Sequence, residues 1–329
     1  MTKSNGLFAS ACAATIAAAA MFATPARAQQ PLQDVIYLLP APATLPAFGP
    51  WMLAQQRGYF EAEGLKVTFQ VARGGVDVAK MVGAGNATIG GAIGDTPIMV
   101  RANGIPVKAV AVLGGRSLMQ LVINKDKGIN TIADLRGKTI TTLAFQDTTY
   151  FALLGMLSTV GLSKNDVNAQ AVGPANIYKL FLAGQADAMA SVPDWTYLVK
   201  TQGTMKIDII PSDTVFKSMA QAIVASDDMI AKNPELVRKV VRATLKGLKD
   251  IMDNPAGAAK DYIKANPQMK EDEIAEIFRM FNEYVYPGQT VLGEMDEQRL
   301  SNLQDFYLAQ GIIEKKTPVR DLYTNQFVK

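Results

Sequence analysis

Gly90-Gly-Ala-Ile-Gly-Asp-Thr-Pro-Ile-Met-Val-Arg-Ala-Asn-Gly-Ile-Pro-Val-Lys108 is the stretch around which the rest of this 329-residue chain is organised. Ala87 to Ile93 is small and apolar enough for a buried strand, and Pro97 to Asn103 carries helix formers stopped by Gly104, so Gly94-Asp95-Thr96 is the turn between them. Pro97 suits a first helical turn, where its missing N–H goes unneeded, and Asp95 or Thr96 is able to cap. The free N–H groups and the positive end of the helix dipole then point past the carboxyl end of the strand, where open α/β sheets hold their ligands. Taken alone the stretch also reads as an ordinary β-to-α turn, and the remainder of the chain has to decide.

Outward from it, Asp34 to Leu39 is a first strand, broken by the proline-rich Pro40 to Pro46. A helix runs from Pro50 to Arg57, Lys66 to Val71 alternates as a half-buried strand, Val76 to Val82 is helical, and Val107 to Leu113 is the next strand. This β-α-β-α-β-α-β rhythm predicts a parallel sheet with helices on its faces. Gly114-Gly-Arg-Ser117 interrupts it before a strand at Leu118 to Ile123. Thr131-Ile-Ala-Asp134 then reads as a capping box opening a short helix, and a second α/β unit follows. It has strands at 138–142, 167–172 and 187–192, helices at 148–160 and 175–183, and a helix opening at Pro193-Asp194-Trp195. Ala220 to Ser226 is strand-like. Everything after it is helical, from Asn233-Pro234-Glu235 through the stripe Leu236, Val237, Val240, Val241, Leu245, Leu248 to helices at 255–265, 271–284 and 296–310, in which the sequence shows no chemistry.

Lys3, the alanine-rich apolar run Leu7 to Thr24 and the small-x-small site Ala26-Arg27-Ala28 predict a secretory signal peptide, residues 1–28, cleaved before Gln29 and placing the mature chain in the periplasm. The run is weakly apolar for a bilayer span, and Cys12 lies too early in it for a lipid-anchored cysteine. Removal of this segment takes away Lys3 and Arg27, leaving 31 basic against 30 acidic side chains with no block of like charge, which gives no footprint for nucleic acid. Cys12 is the only cysteine and there is no histidine, so Ser-His-Asp and Cys-His triads, His-bearing zinc sites and a His general base are excluded. About 300 mature residues suit two lobes better than one core.

Four segments, in order over roughly residues 34 to 260, carry a family resemblance. Arg57-Gly-Tyr-Phe-Glu-Ala-Glu-Gly-Leu-Lys-Val67 resembles the GYF…EGL.V segment of the substrate-binding proteins of bacterial ABC transporters in the nitrate, sulfonate and taurine group. Gly94-Asp-Thr-Pro97 with Ala102-Asn-Gly-Ile-Pro-Val107 is similar to that group's GD.P…A.G.PV, Lys127 to Lys138 to its sgI.s..DLkGK, and Leu182 to Ala188 to its L..G..DA. One departure is Gly85-Asn-Ala-Thr-Ile89, which lacks the acidic residue common before the GD.P strand; it is expected to affect a strand start. Relatives binding a pyrimidine precursor, and the fungal synthase of that precursor, bring Cys- or His-bearing motifs that this chain lacks, which disfavours those readings. The resemblance implies the two-lobed type II periplasmic binding protein fold, an α/β architecture of parallel-type sheets with two crossing hinge strands and a helical C-terminal region. Lobe 1 is then residues 29–120 plus 224–329 and lobe 2 residues 121–223, with crossings near Leu118 to Ile123 and Ala220 to Ser226. It also implies a monomer that closes on a small-molecule solute and delivers it to a membrane permease, with no cofactor, no metal and no catalytic residue.

Four loops are expected to face the cleft. Ala43 and Thr44 follow the first strand, in what is otherwise a stiff surface turn. Gly94, Asp95 and Thr96 form the second, and Phe145, Gln146, Asp147 and Thr148 mirror them from the other lobe, Asp147 or Thr148 alternatively being plain caps. Asp194 and Trp195 form the fourth, where one of only two tryptophans walls a pocket or packs in the core. Arg116, on a Gly-flanked turn, is placed to clamp an anion or to sit solvated at the rim. Two helix starts and an arginine converging on one cleft predict a small organic anion, a carboxylate or sulfonate, over a nitrogenous or pyrimidine-like solute. Asp95, Asp147 and Asp194 argue the other way unless they are taken up as caps. An exported enzyme using those three carboxylates is the reading from a different class.

Overall fold

The structure is a computed structural model and describes residues 31–328. The signal-peptide reading of residues 1–28, Cys12 included, lies outside the described residues. The strands are β1 Gln33–Leu39, β2 Leu65–Val71, β3 Ile89–Ile93, β4 Val107–Val112, β5 Gln120–Asn124, β6 Thr139–Thr142, β7 Asn168–Ala171, β8 Ala188–Ser191, β9 Ile207–Pro211 and β10 Gln221–Ser226. The helices are α1 Gly49–Gln56, α2 Tyr59–Ala62, α3 Gly75–Gly83, α4 Thr96–Ala102, α5 Thr148–Ser158, α6 Ile177–Leu182, α7 Pro193–Gln202, α8 Asp227–Lys232, α9 Pro234–Asp253, α10 Pro255–Ala265, α11 Glu271–Tyr284 and α12 Glu297–Ala309. Among the described residues no helix is long and apolar enough to cross a membrane.

The strands form two five-stranded sheets, ordered β2-β1-β3-β10-β4 and β7-β6-β8-β5-β9. In the first, β1 pairs in parallel with β2 and β3, while β10 runs antiparallel between β3 and β4. In the second, β6 pairs in parallel with β7 and β8, while β5 runs antiparallel between β8 and β9. Each sheet is therefore a parallel βαβ core with one strand delivered from the other half and inserted against the grain, so both are mixed where an all-parallel sheet is what the βα rhythm predicts. A strand that enters from the opposite sheet has to run backwards relative to strands joined by right-handed crossovers.

The passages between the sheets are residues 113–119 and 212–220. They run side by side, Leu113 N–H donating to the Gln221 carbonyl at 2.6 Å, Leu118 N–H to Met219 at 3.1 Å and Ser212 N–H to Met119 at 2.9 Å. The segments that the sequence reading takes as crossings, Leu118 to Ile123 and Ala220 to Ser226, are mostly the inserted strands β5 and β10, and the passages precede them. The edge strand β9 has no counterpart in the sequence reading, because a half-exposed Ile-Asp-Ile-Ile-Pro is too short to show a period. The predicted helix after Thr131 is a 3₁₀ turn, Ile132–Leu135, with the Asp134 carboxylate accepting from Thr131 N–H at 2.9 Å.

Packing explains the motif residues. All five residues of β3 are buried, and a Cβ on Gly90 would lie 2.4 Å from Val78 Cγ1, so the Gly-Gly pair lets α3 lie close on the sheet. Arg57 bridges Asp250 at 2.6 Å and Asp261 at 2.7 Å, and Tyr59 donates to Asp250 at 2.6 Å, fastening the end of α1 to α9 and α10. Asp187 accepts from Lys127 at 2.7 Å and from Thr139 N–H at 2.8 Å. Three of the four resemblance segments thus hold the frame together.

Candidate functional site

Residues at or just past the carboxyl ends of β1, β3, β6 and β8 line one cavity between the two sheets, which is where open α/β sheets leave room for a ligand. Ala41, Ile93, Leu143 and Val192 give it apolar walls, Leu45, Phe48 and Trp195 close it, and Asp147, Asp194 and Gln221 face it. Its volume is about 40 Å³, room for only a few waters. The halves are shut on each other here: Val76 N–H donates to the Gln146 carbonyl at 3.2 Å, and Gly75 N–H lies 3.4 Å from an Asp147 oxygen. Two larger spaces flank the contact. One, of about 370 Å³, shares Leu45, Asp194 and Trp195 with the central cavity and runs out between α7 and α11. The other, of about 690 Å³, lies at the opposite mouth between α3 and α5 and holds Phe145 and Gln146 in its wall.

The carboxylates differ in what they meet. Asp147 caps α5, accepting from Thr149 N–H at 3.0 Å and from its hydroxyl at 2.5 Å, while the first residues of α3 point at it from the other half. The positive ends of α3 and α5 are therefore answered by the protein's own carboxylate. Burial nevertheless holds the Asp147 carboxyl above the usual range, with the Thr149 contacts opposing. Asp95 heads α4, but its side chain makes no cap bond; it accepts from the Tyr307 hydroxyl of α12 at 2.5 Å, and its other oxygen has no protein partner. Burial pushes it up to about 6, opposed by the Tyr307 hydrogen bond. Asp194 is 2% exposed and neither of its oxygens has a hydrogen-bond partner. Burial lifts it to about 6 as well, partly offset by nearby amides of Asp194 itself, Trp195 and Ala47 that fall short of hydrogen-bond geometry.

The other candidates are placed as follows. Trp195 is 4% exposed and forms the wall common to the central cavity and the 370 Å³ space. Thr44 lines that space and its carbonyl accepts from Tyr262 at 2.8 Å, whereas Ala43 packs half-buried on the core. Gly94 donates to Ala220 at 3.0 Å and abuts Met219 and Met295, so the turn rests against the second passage. Thr96 accepts from Ile93 N–H at 3.3 Å, and the buried Thr148 hydroxyl has no partner. Phe145 is exposed, edge-on to Tyr150, and Gln146 uses its backbone carbonyl. Arg116 joins none of them. It is exposed, donates to the Glu283 carbonyl at 2.8 Å and borders a separate cavity of about 200 Å³ behind the passages. Among the described residues no Lys or Arg lines the central cavity, and no group of three or more acidic side chains is arranged to hold a metal ion.

The C-terminal helices, in which the sequence shows no chemistry, supply Tyr307 to Asp95, Ile274 and Ile277 to the 370 Å³ space, and Arg299 to the hinge. Gln221, whose Oε1 is buried without a partner, also goes unread from sequence. No local signal marks these residues, since each sits on an ordinary amphipathic or buried element and meets the site only through tertiary packing.

The chain is 28% identical to the riboflavin-binding protein RibY of Chloroflexus aurantiacus over 333 residues, covering 98% of this chain and 95% of that one. It is also 28% identical to the 4-amino-5-hydroxymethyl-2-methylpyrimidine phosphate synthase THI13 of Saccharomyces cerevisiae, over 71% of this chain and 70% of that one. Among solved structures, the alkanesulfonate-binding protein SsuA of Xanthomonas axonopodis pv. citri superposes with a TM-score of 0.72 at 19% identity, covering 90% of this chain and 99% of that one. The periplasmic nitrate-binding protein NrtA of Synechocystis PCC 6803 gives 0.67 at 12% identity, over 90% and 87%. These likenesses carry the two-sheeted binding-protein fold. The pyrimidine-precursor relatives that the missing Cys and His disfavour are relatives all the same, so that lack bears on chemistry and not on descent. With the family described as NMT1/THI5 like matching residues 45–258, well over half its length, the chain belongs to that family.

Proposed function

We propose that this protein is an exported receptor that closes two halves, one on each sheet, on a nitrogenous heteroaromatic solute and hands it to a membrane importer. The observation that carries the solute class is Asp194, a buried carboxylate with both oxygens unpartnered beside Trp195, in a cavity whose described lining has no Lys or Arg. A carboxylate buried this way is stabilised by a ligand N–H or a protonated nitrogen and repels an anion. Of the two helix ends that would attract a carboxylate or sulfonate, that of α5 already faces Asp147 and that of α4 is headed by the buried Asp95. The kinship with a protein named for binding riboflavin supports the same class. A binding role is favoured over catalysis, since the chain lacks His and its mature part lacks Cys, and the hydroxyl that meets a carboxylate of the central cavity, that of Thr149, is taken up in the cap of α5.

Calorimetric titration of dialysed protein with riboflavin, 4-amino-5-hydroxymethyl-2-methylpyrimidine and an alkanesulfonate is the test. A heat signal with either ring compound and none with the sulfonate is expected; the reverse pattern sinks this reading and restores the organic anion. At 100 times its dissociation constant the bound solute should stabilise the fold by about 2.7 kcal/mol. Intact mass of the exported protein should correspond to a chain beginning at Gln29, and a retained leader or a lipid on Cys12 would count against periplasmic release.

A further inference from the structure

The central cavity has room for only a few waters, yet Asp194, which lines it with both oxygens buried and unpartnered, also lines the 370 Å³ space on the other side of Trp195. That space falls within the usual size of ligand pockets. Both halves build it: the loop after β1 contributes Leu45 and α11 contributes Ile277, while α6 and α7 contribute Tyr178 and Leu198. Its walls are apolar and aromatic, its inner end is Asp194, and Lys179 and Glu273 stand at its rim. Resting on the solute class above, we propose that the ring system of the solute lies in this groove against Trp195, with an N–H edge on Asp194 and its polar substituents toward the rim. The turns at Gly94 to Thr96 and Gln146 to Thr148 then act as the closing contact between the halves, not as the seat.

Asp194 and Trp195, which wall both spaces, are the argument for placing the solute beside them. A buried carboxylate at the end of an otherwise apolar slot fixes the direction in which a flat ring with one hydrogen-bonding edge must enter. The larger space at the other mouth has no such group. Its polar lining is Lys80, Lys164, Ser163, Tyr150 and four amide side chains, with no buried unpartnered atom among them.

Riboflavin titrations on four proteins test the placement: wild type, Leu198→Lys in the groove, Asp194→Asn at its end, and Leu154→Lys in the opposite space. Leu198 and Leu154 are both half-buried, so the two lysine variants disturb the fold alike. Leu198→Lys and Asp194→Asn are each expected to lose at least thirtyfold in affinity, with Leu154→Lys within threefold of wild type. Tyr178→Lys replaces Leu198→Lys if that variant does not fold. If the groove variants bind like wild type while Asp194→Asn is impaired, the groove proposal fails and the cleft reading stands. Equal losses in Leu154→Lys and Leu198→Lys also overturn it. No binding by wild type to riboflavin or to 4-amino-5-hydroxymethyl-2-methylpyrimidine overturns both together.

Discussion

Asp194→Asn is expected to melt above wild type at pH 8 in the absence of solute and, at the same time, to bind a ring solute poorly. Burial holds the Asp194 carboxyl at about 6, against about 3.9 for a solvated Asp. Between those values the folded chain keeps a proton that the unfolded chain has released, so this group favours folding most below about pH 4 and its contribution is lost as pH rises through about 6. At pH 8 the buried charge therefore costs about 1 to 3 kcal/mol, which Asn does not incur. The gain amounts to a few degrees in melting temperature at pH 8 and should fall to about a third of that near pH 4.5. Asp95, which burial also lifts to about 6, titrates in both proteins and cancels in the comparison. Tyr262 and Tyr286, whose hydroxyls are held un-ionised by burial and by the nearby Asp194 charge, stay neutral throughout. Losing one partner of a buried charged hydrogen bond costs about 2 to 5 kcal/mol in binding. A residue kept for the ligand at the expense of the empty fold should show both effects. Melting curves with and without riboflavin at the two pH values measure them, and a variant no more stable than wild type at pH 8 would contradict the buried, unpaired state of this carboxylate.

The largest loss of stability is expected from Arg299→Ala. This side chain, 11% exposed, donates from Nε to the Ser218 carbonyl at 2.5 Å, from one terminal nitrogen to the Gly115 carbonyl at 2.6 Å and from the other to Ser117 Oγ at 3.1 Å and to Asp213. Ser218 and Asp213 lie in or beside the second passage and Gly115 and Ser117 in the first, so one guanidinium from α12 holds both connections. The approach is close enough that a Cβ on Gly115 would lie 2.6 Å from Gly288. Removing the arginine leaves Asp213, already accepting from Ser117 N–H and hydroxyl, without its counter-ion. The cost should be about 3 kcal/mol, the lower end for breaking a buried ion pair, or about 6 °C in melting temperature. Arg299→Lys keeps the charge and loses the fork, and should recover less than half. Thermal melts of the three proteins decide it. A change under about 1 °C in Arg299→Ala would mean that the passages are held by their own backbone pairing alone.

Much of the frame was legible without coordinates. Periodicity and punctuation located nine of the strands, because a buried strand flanked by Gly, Pro and Asn shows its period within a few residues, and the inference of two α/β units followed from where that rhythm restarted. Asp147 as a cap was likewise local: a carboxylate two residues before a helical N–H reaches it whatever the rest of the chain does. Absence of His removed whole classes of chemistry by composition.

What the sequence could not contain is which atoms go unpartnered and which helix ends are already answered. Gly94-Asp95-Thr96 and Gln146-Asp147-Thr148 look from sequence like two seats for an anion, but folding brings α3 of one half onto Asp147 of the other and Tyr307, more than 200 residues downstream, onto Asp95. Arg116, adjacent to the hinge in sequence, turns to Glu283 instead of the cleft. Hydrogen-bond satisfaction is a balance over contacts of long sequence separation, and no window of residues carries it. The chain's own pattern decided that there are two sheets and that the ends of their strands meet; only tertiary packing decided that Asp194 is left buried beside Trp195 with nothing to bond.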